Sequence, residues 1–208
     1  ADRVSELGVT WQDDEFSYSV RPVREALLKN LLPILEQENL SLAHGYTSEL
    51  SQRLPAWIAS ISDWLEQGVV LLFDYGFSRA DYYRADRGEG TLRCYYQHRM
   101  HDNPFFWPGL QDITAWVDFT LLAESAAAVG LDVAGYTTQA QFLLASGITE
   151  RLERMSDFTQ QQRLVATRNL QRLILPGEMG ETIKVMALSR GDVTVPEGMI
   201  GRDMRGSL

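Results

Sequence analysis

Residues 69–73 (VVLLF) are apolar at every position and follow a helical pattern at 50–66, in which Leu54, Trp57, Ile58, Ile61 and Leu65 recur at three- and four-residue spacing. A strand with one wet face alternates apolar and polar residues; a strand without alternation belongs inside a parallel sheet covered on both faces. Helix followed by buried strand is the unit of an α/β sheet, and this pair constrains the fold more than anything else in the chain. Gly68 is placed as the stop of the helix.

The flanking elements fit the same class. Residues 9–11 and 16–20 read as short strands around a polar turn, with Phe16, Tyr18 and Val20 on one face. A helical pattern through Val23, Ala26, Leu27, Leu31, Ile34 and Leu35 follows, with Pro33 as an interruption. Later come a helix at 117–129 with Asp118 as N-cap and Gly130 as stop, and a strand at 131–135. Thr138 with Gln141 and Thr159 with Gln162 have capping-box spacing for helices reaching Ala145 and Ile174, before a β-prone run at 182–189. The order resembles the last third of a doubly wound α/β domain with a helical insertion and a final strand returning antiparallel. About three sheet strands are visible, which is thin for a complete sheet of this type. The expected organisation is one domain portion over 1–190 and a peripheral Gly-rich tail over 191–208.

A formal charge of −9 and a pI near 4.8 disfavour a nonspecific grip on nucleic acid phosphates. The single cysteine, Cys94, excludes an internal disulfide and fits a reducing compartment. No apolar run approaches the roughly 20 residues of a membrane span, and no signal pattern opens the chain. These features predict a soluble cytoplasmic protein with neither nucleic acid nor membrane as partner.

Function is expected in the segment 88–119, dense in aromatic, basic and acidic side chains, because loops beyond about 12–15 residues usually bind or cover something. Asp74-Tyr75-Gly76 ends the buried strand, where open α/β sheets bind ligands; the alternative is an acid capping the next turn. His98 and His101, with Asp102, have spacing that two metal-binding nitrogens could use, but structural zinc needs four closely specified ligands, so contact with substrate or loop-organising hydrogen bonds is favoured. Arg93, Arg99 and the rings of Tyr95, Tyr96, Phe105, Phe106 and Trp107 could hold a planar or cationic ligand, or glue the loop down. Asp112 and Thr114 precede a helix that Asp118 caps, which leaves Asp112 the better ligand contact; Gln139 has no structural assignment from sequence. Cys94 lacks the signature of a nucleophile.

In order along the chain, GYTSE at 45–49, VVLLFDYG at 69–76, GTLRCYYQHRMHDNPFFWPGLQDITAWVDF at 90–119, GYTTQAQFLLASGI at 135–148 and PGEMGETIKVMAL at 176–188 resemble the MidA family of S-adenosylmethionine-dependent methyltransferases. That family includes a mitochondrial arginine methyltransferase that assists complex I assembly. The resemblance implies a class I (Rossmann-like) methyltransferase sheet, S-adenosylmethionine as cofactor, and methyl transfer to a protein side chain, with arginine as acceptor and a respiratory complex subunit as a partner of the mitochondrial relative. Its Gly-rich turn for the cofactor has no counterpart here, so the chain is expected to be the C-terminal portion of such an enzyme and inactive alone. In that frame Glu49, His98 and Asp112 are the catalytic candidates, with Glu49 and Asp112 facing substrate and His98 accepting a proton. Asp74, Tyr75 and Gly76 are assigned to the cofactor side, and Arg93, His101, Asp102, Thr114, Asp118 and Gln139 to substrate. A cut sheet edge predicts self-association. The competing readings are a non-catalytic assembly module and a metal-assisted hydrolase on His98 and His101.

Overall fold

The computed structural model describes residues 4–37, 42–154 and 158–208. In chain order its elements are strands β1 (Ser5–Gln12) and β2 (Glu15–Pro22), helices α1 (Glu25–Gln37) and α2 (Leu54–Trp64), strand β3 (Gly68–Phe77) and the short helix α3 (Arg79–Tyr82). Strands β4 (Arg93–Tyr96), β5 (Arg99–His101), β6 (Asp112–Thr114) and β7 (Val117–Asp118) precede helix α4 (Phe119–Ala128) and strand β8 (Asp132–Thr138). Helices α5 (Gln139–Ala145), α6 (Ile148–Glu153), α7 (Gln160–Ile174) and α8 (Met179–Thr182) lead into strand β9 (Ile183–Arg190). The chain divides into two units, Arg53–Tyr82 with Val117–Leu208 and Ala1–Gln52 with Tyr83–Trp116.

The larger unit is built on a sheet of order β7-β3-β9-β8. Strand β9 is antiparallel to both β3 and β8, so the last strand inserts between two earlier ones in the reverse direction, as expected for this α/β class. Against one sheet face pack Ile58 and Ile61 of α2 and Phe119 and Leu122 of α4, meeting Tyr136, Met186 and Leu188. Removing such side chains from water stabilises by roughly 1.5–3 kcal/mol each. The C-terminal carbonyls of α2 and α4 have no partner within their helices. Arg190, at the end of β9, supplies one guanidinium to Ser62 O (2.7 Å), Leu65 O (2.9 Å) and Val129 O (2.8 Å), placing a cation where helix dipoles favour it.

Three expectations are corrected in this unit. Strand β3 is parallel only to β7, at Gly76 and Phe77, and antiparallel to β9 elsewhere. Val70 and Leu72 point into the core, whereas Leu71 and Phe73 are exposed on the other face, so the run is not buried on both sides. The helix expected from residue 50 starts at Leu54, with a proline in its first turn, where a missing N–H costs nothing; Trp57 is 48% exposed, and Gly68 opens β3 rather than stopping the helix. The tail expected to be peripheral packs inward. A Cβ on Gly135 would sit 2.8 Å from the Met199 sulfur, Met204 N–H donates to Tyr136 O (2.8 Å), and Met204 and Leu208 join the core.

In the smaller unit β1 and β2 form a hairpin whose turn residues, Asp13 and Asp14, both have positive φ (53° and 61°), the twist a two-residue hairpin loop demands. Helix α1 passes through Pro33 without the expected interruption, losing one backbone hydrogen bond there. The segment read as one long loop contains a three-stranded antiparallel sheet of order β5-β4-β6.

Candidate functional site

Thr91 is the junction of the smaller unit. Glu49 accepts from Thr91 N–H and Thr91 Oγ1 (2.8 Å each) and from Leu92 N–H (3.2 Å). Thr91 Oγ1 also accepts from Trp116 N–H (3.1 Å), so one acid and one hydroxyl tie residue 91 to the far end of the segment at 116. Gly90 has φ +76° and an added Cβ would lie 2.4 Å from Glu49 Oε1, so a side chain there is strained and displaces the Glu49 carboxylate. Around this knot residues 86–91, Arg93 and Trp116 line a cavity of about 290 Å³. The Arg87 guanidinium carbon stands 5.7 Å from the Trp116 ring centroid, a cation–π pair, and Arg84 forks onto both oxygens of Asp86 (3.1 Å each). Such a lining presents cations, carboxylates and an aromatic face to a charged, planar group.

The other predicted residues of this unit are dispersed. His98 lies in the exposed turn between β4 and β5, with φ +63°. His101, on β5, meets Phe106 edge-on (5.6 Å), and its buried Nε2 has no hydrogen-bond partner. No group of three or more metal-ligating side chains occurs among the described residues. Asp102 is exposed, 3.9 Å from Arg93 Nε, while Arg93 Nη1 donates to Leu92 O (2.6 Å). Asp112 and Thr114 sit on exposed β6, where Thr114 Oγ1 donates to Arg93 O (3.3 Å). Burial pushes the Cys94 thiol up, away from the reactive thiolate.

In the larger unit Asp74 is exposed inside β3, which runs on to Phe77 rather than ending before it, and stands opposite Lys184 of β9; it accepts from Tyr75 N–H (2.7 Å), and partial desolvation pushes its carboxyl up, against the pull of that N–H. Gly76 is closed over rather than open, since an added Cβ would lie 2.2 Å from Val117 O and 2.9 Å from the Phe119 ring. Its missing side chain lets β3 approach β7. Asp118 caps α4 by accepting from Leu121 N–H (3.0 Å) and faces Arg79 at 3.5 Å, so its neighbours are structural; burial pushes its carboxyl up, against Leu121 N–H and Arg79. Gln139 is buried, and its Nε2 donates to Leu173 O (2.9 Å), holding α7. Sequence reading missed Arg79, which is buried and bound by Glu124 through both guanidinium ends, and missed the Arg87–Thr91–Trp116 knot. The signal available for the knot was the Gly88-Glu89-Gly90 run, which precedes a strand rather than a helix.

A model of the family described as "Putative S-adenosyl-L-methionine-dependent methyltransferase" matches residues 1–137, well over half of the chain. Protein arginine methyltransferase NDUFAF7, mitochondrial, of Rattus norvegicus is 36% identical over 144 residues, 67% of this chain and 28% of that protein. Its Caenorhabditis elegans homologue, also mitochondrial, is 34% identical over 125 residues, 58% of this chain and 26% of that one. A Burkholderia thailandensis protein crystallised with S-adenosyl-homocysteine superposes with a TM-score of 0.91 at 37% identity, over 100% of this chain and 53% of the other. A second structure from that organism gives 0.89 and 36%, over 98% and 54%. The chain thus spans little more than a quarter of the length of these curated relatives and about half of the solved ones. The mitochondrial relatives overturn the cytoplasmic expectation: one reduced cysteine and the lack of an apolar span do not distinguish these compartments. Among the described residues no helix is long and apolar enough to cross a membrane. Five motifs in order, a β9 that reverses between β3 and β8, and these matches have one reading: the chain belongs to the family of S-adenosyl-L-methionine-dependent methyltransferases.

Proposed function

We propose that this chain is the acceptor-side portion of a methyltransferase that modifies a protein side chain, with arginine as the acceptor. The observation carrying this reading is the superposition of the entire chain on about half of a relative that holds S-adenosyl-homocysteine. The arginine acceptor follows from the names of the curated relatives, and a respiratory complex subunit as substrate protein follows from the resemblance alone.

The described residues do not make a cofactor cradle by themselves. Gly76 is filled by Val117 O, and no Gly-rich turn joins a strand to a helix among them. Cofactor binding is therefore assigned to the chain together with the rest of the family's sheet, with Asp74 and Tyr75 at the rim. S-adenosylmethionine, when bound, supplies the electrophilic methyl group. A guanidinium acceptor must be held as a cation, oriented, and relieved of a proton. Asp112, exposed on β6, is the proposed holder of the cation, with Arg93 on β4 of the same small sheet and Asp102 just after β5; His98 is the proposed proton acceptor. Glu49 takes a different role from the one expected, because its oxygens accept from the 91–92 backbone and hydroxyl: it positions the segment.

Calorimetric titration of S-adenosylmethionine into this chain and into a form extended by the residues that precede it in its gene tests the reading. Binding by the extended form only, followed by methylarginine in acid hydrolysates of a modified substrate protein, is the expected result. Absence of binding by either form would remove the enzyme reading and leave an assembly module. Methyl-lysine in place of methylarginine would replace the acceptor.

A further inference from the structure

Helix α7 differs in charge from the rest of the chain. Its sequence, QQQRLVATRNLQRLI, carries three arginines and no acid, in a protein of net charge −9. Ala166, Leu170, Leu173 and Ile174 are partly buried and recur at three- and four-residue spacing, so they mark the inward face, where Gln139 Nε2 donates to Leu173 O (2.9 Å). The opposite face presents Gln161, Leu164, Val165, Arg168 and Arg172, all exposed, with Leu164 at 53% and Val165 at 50%. Arg163 is turned back on Phe158 O (3.3 Å), whereas Arg168 and Arg172 form no hydrogen bond or ion pair with another described residue. Two guanidinium groups about one turn apart, with aliphatic side chains beside them, thus run along the outside of the helix.

A solvated helix face gains from acids and bases at four-residue spacing, and α7 has no acid to set against its arginines. The missing charge is one that a partner brings. An acidic amphipathic helix fits: carboxylates at four-residue spacing meet Arg168 and Arg172, and apolar side chains between them cover Leu164 and Val165. Nucleic acid offers no comparable apolar surface, and a chain of net charge −9 repels a dense polyanion. A lipid surface calls for a broad apolar face, whereas this stripe has two aliphatic side chains. The remaining residues of the same protein fit less well. Contacts inside one domain are mostly apolar, and burying two unpaired guanidinium groups in one is costly. Among the described residues the sheet pairs in parallel only at β3–β7, the side on which a doubly wound sheet extends. Helix α7 rests instead on α5 and α8, which follow β8 and precede β9 at the other side.

We propose that the outward face of α7, formed by Leu164, Val165, Arg168 and Arg172, is a docking site for an acidic amphipathic helix of a partner protein. The contact is weak and salt-sensitive, because exposed ion pairs each contribute little and are screened. It goes beyond the methyl-transfer reading and uses none of the residues assigned to cofactor or acceptor.

The test is fluorescence anisotropy of a labelled helical peptide of about 18 residues, long enough to span α7, with Glu and Leu at four-residue spacing. It is titrated at low ionic strength with the 208-residue chain and with the form extended by the residues that precede it in its gene. Saturable binding by both forms is expected, weakened roughly tenfold or more when Arg168→Glu and Arg172→Glu are combined and unchanged by Lys29→Glu on α1. A second peptide with Lys in place of Glu should gain about as much on the doubly reversed chain over the wild type, and nothing on Lys29→Glu. That gain separates lost complementarity from a failure to fold. Absence of binding, binding of either peptide indifferent to the reversal, or binding by the 208-residue chain that the extended form lacks would overturn the proposal, the last because the protein's own remaining residues then cover α7. Tighter, equally arginine-dependent binding to phosphatidylserine vesicles or to duplex RNA would also overturn it, in favour of a membrane or a nucleic acid.

Discussion

Strand β9 and the segment Tyr83–Trp116 are held in place by opposite means. Seven of the eight residues of β9 are buried, and its position follows from apolar contact with β3, β8, α2 and α4. The segment Tyr83–Trp116 buries fewer apolar side chains, Tyr83 and Cys94 among them, and is tied as well by directional bonds that converge on Thr91 from Glu49 and Trp116. Hydrophobic burial is non-directional and tolerates substitution by residues of similar volume, whereas a knot of hydrogen bonds depends on a few atoms and on a glycine that leaves them room. The first arrangement makes a stable platform. The second makes a shaped, charged cavity whose geometry one substitution can undo.

The contrast breaks most sharply at Ile58. It is fully buried at the centre of the α2–sheet contact, so Ile58→Ala is expected to cost about 2–5 kcal/mol in denaturant unfolding of the larger unit. A cost below about 1 kcal/mol would mean that the platform is not packed as described.

In the smaller unit the corresponding change is Glu49→Ala, which leaves the Thr91 and Leu92 N–H groups without their acceptor. A loss of about 1–3 kcal/mol is expected, with faster hydrogen exchange confined to the amides of Thr91, Leu92 and Trp116. Glu49→Gln, which keeps one acceptor oxygen, should recover part of the protection. Equal exchange in wild type and both variants would show that the knot does not hold the segment.

The smallest effect is expected at Asp74. Desolvation raises its carboxyl above the ordinary value of 3.8, so the folded chain holds this proton more tightly than the unfolded chain does. The sign follows: the side chain favours folding most when protonated, and stability falls as pH rises from about 3.8 through the raised folded value. In that window the wild type should lose ground against Asp74→Asn, and above it the difference should be constant. A difference that instead grows in favour of the wild type as pH rises would reverse the assignment and give Asp74 a cationic partner.

How much was legible in the sequence depended on which of these forces was at work. The caps at Asp118, Thr138 and Thr159 stand where spacing put them, because an N-cap is a contact between residues three apart. The polar turn and the shared face of Phe16, Tyr18 and Val20 were equally local. The direction of β3 was not, since its apolar run describes what surrounds a strand but not which way the neighbours run. Pro33 and the tail beyond Gly191 were misjudged for a related reason: a helix can carry one missing hydrogen bond, and a Gly-rich stretch can pack once Gly135 opens space for Met199.

For the site the division is clearer still. The sequence determined the family, whose model matches residues 1–137, and it singled out the segment around 88–119 by its density of aromatic and charged side chains. Tertiary structure alone decided that Glu49 is a clamp, that Gly76 is a point of close approach, that Asp118 and Gln139 are bound to neighbouring structure, and that Arg87 and Trp116 face one cavity. A motif records which side chains are present, whereas the role of a carboxylate is set by the donors that reach it, and those of Glu49 arrive from residues 42 and 43 positions away.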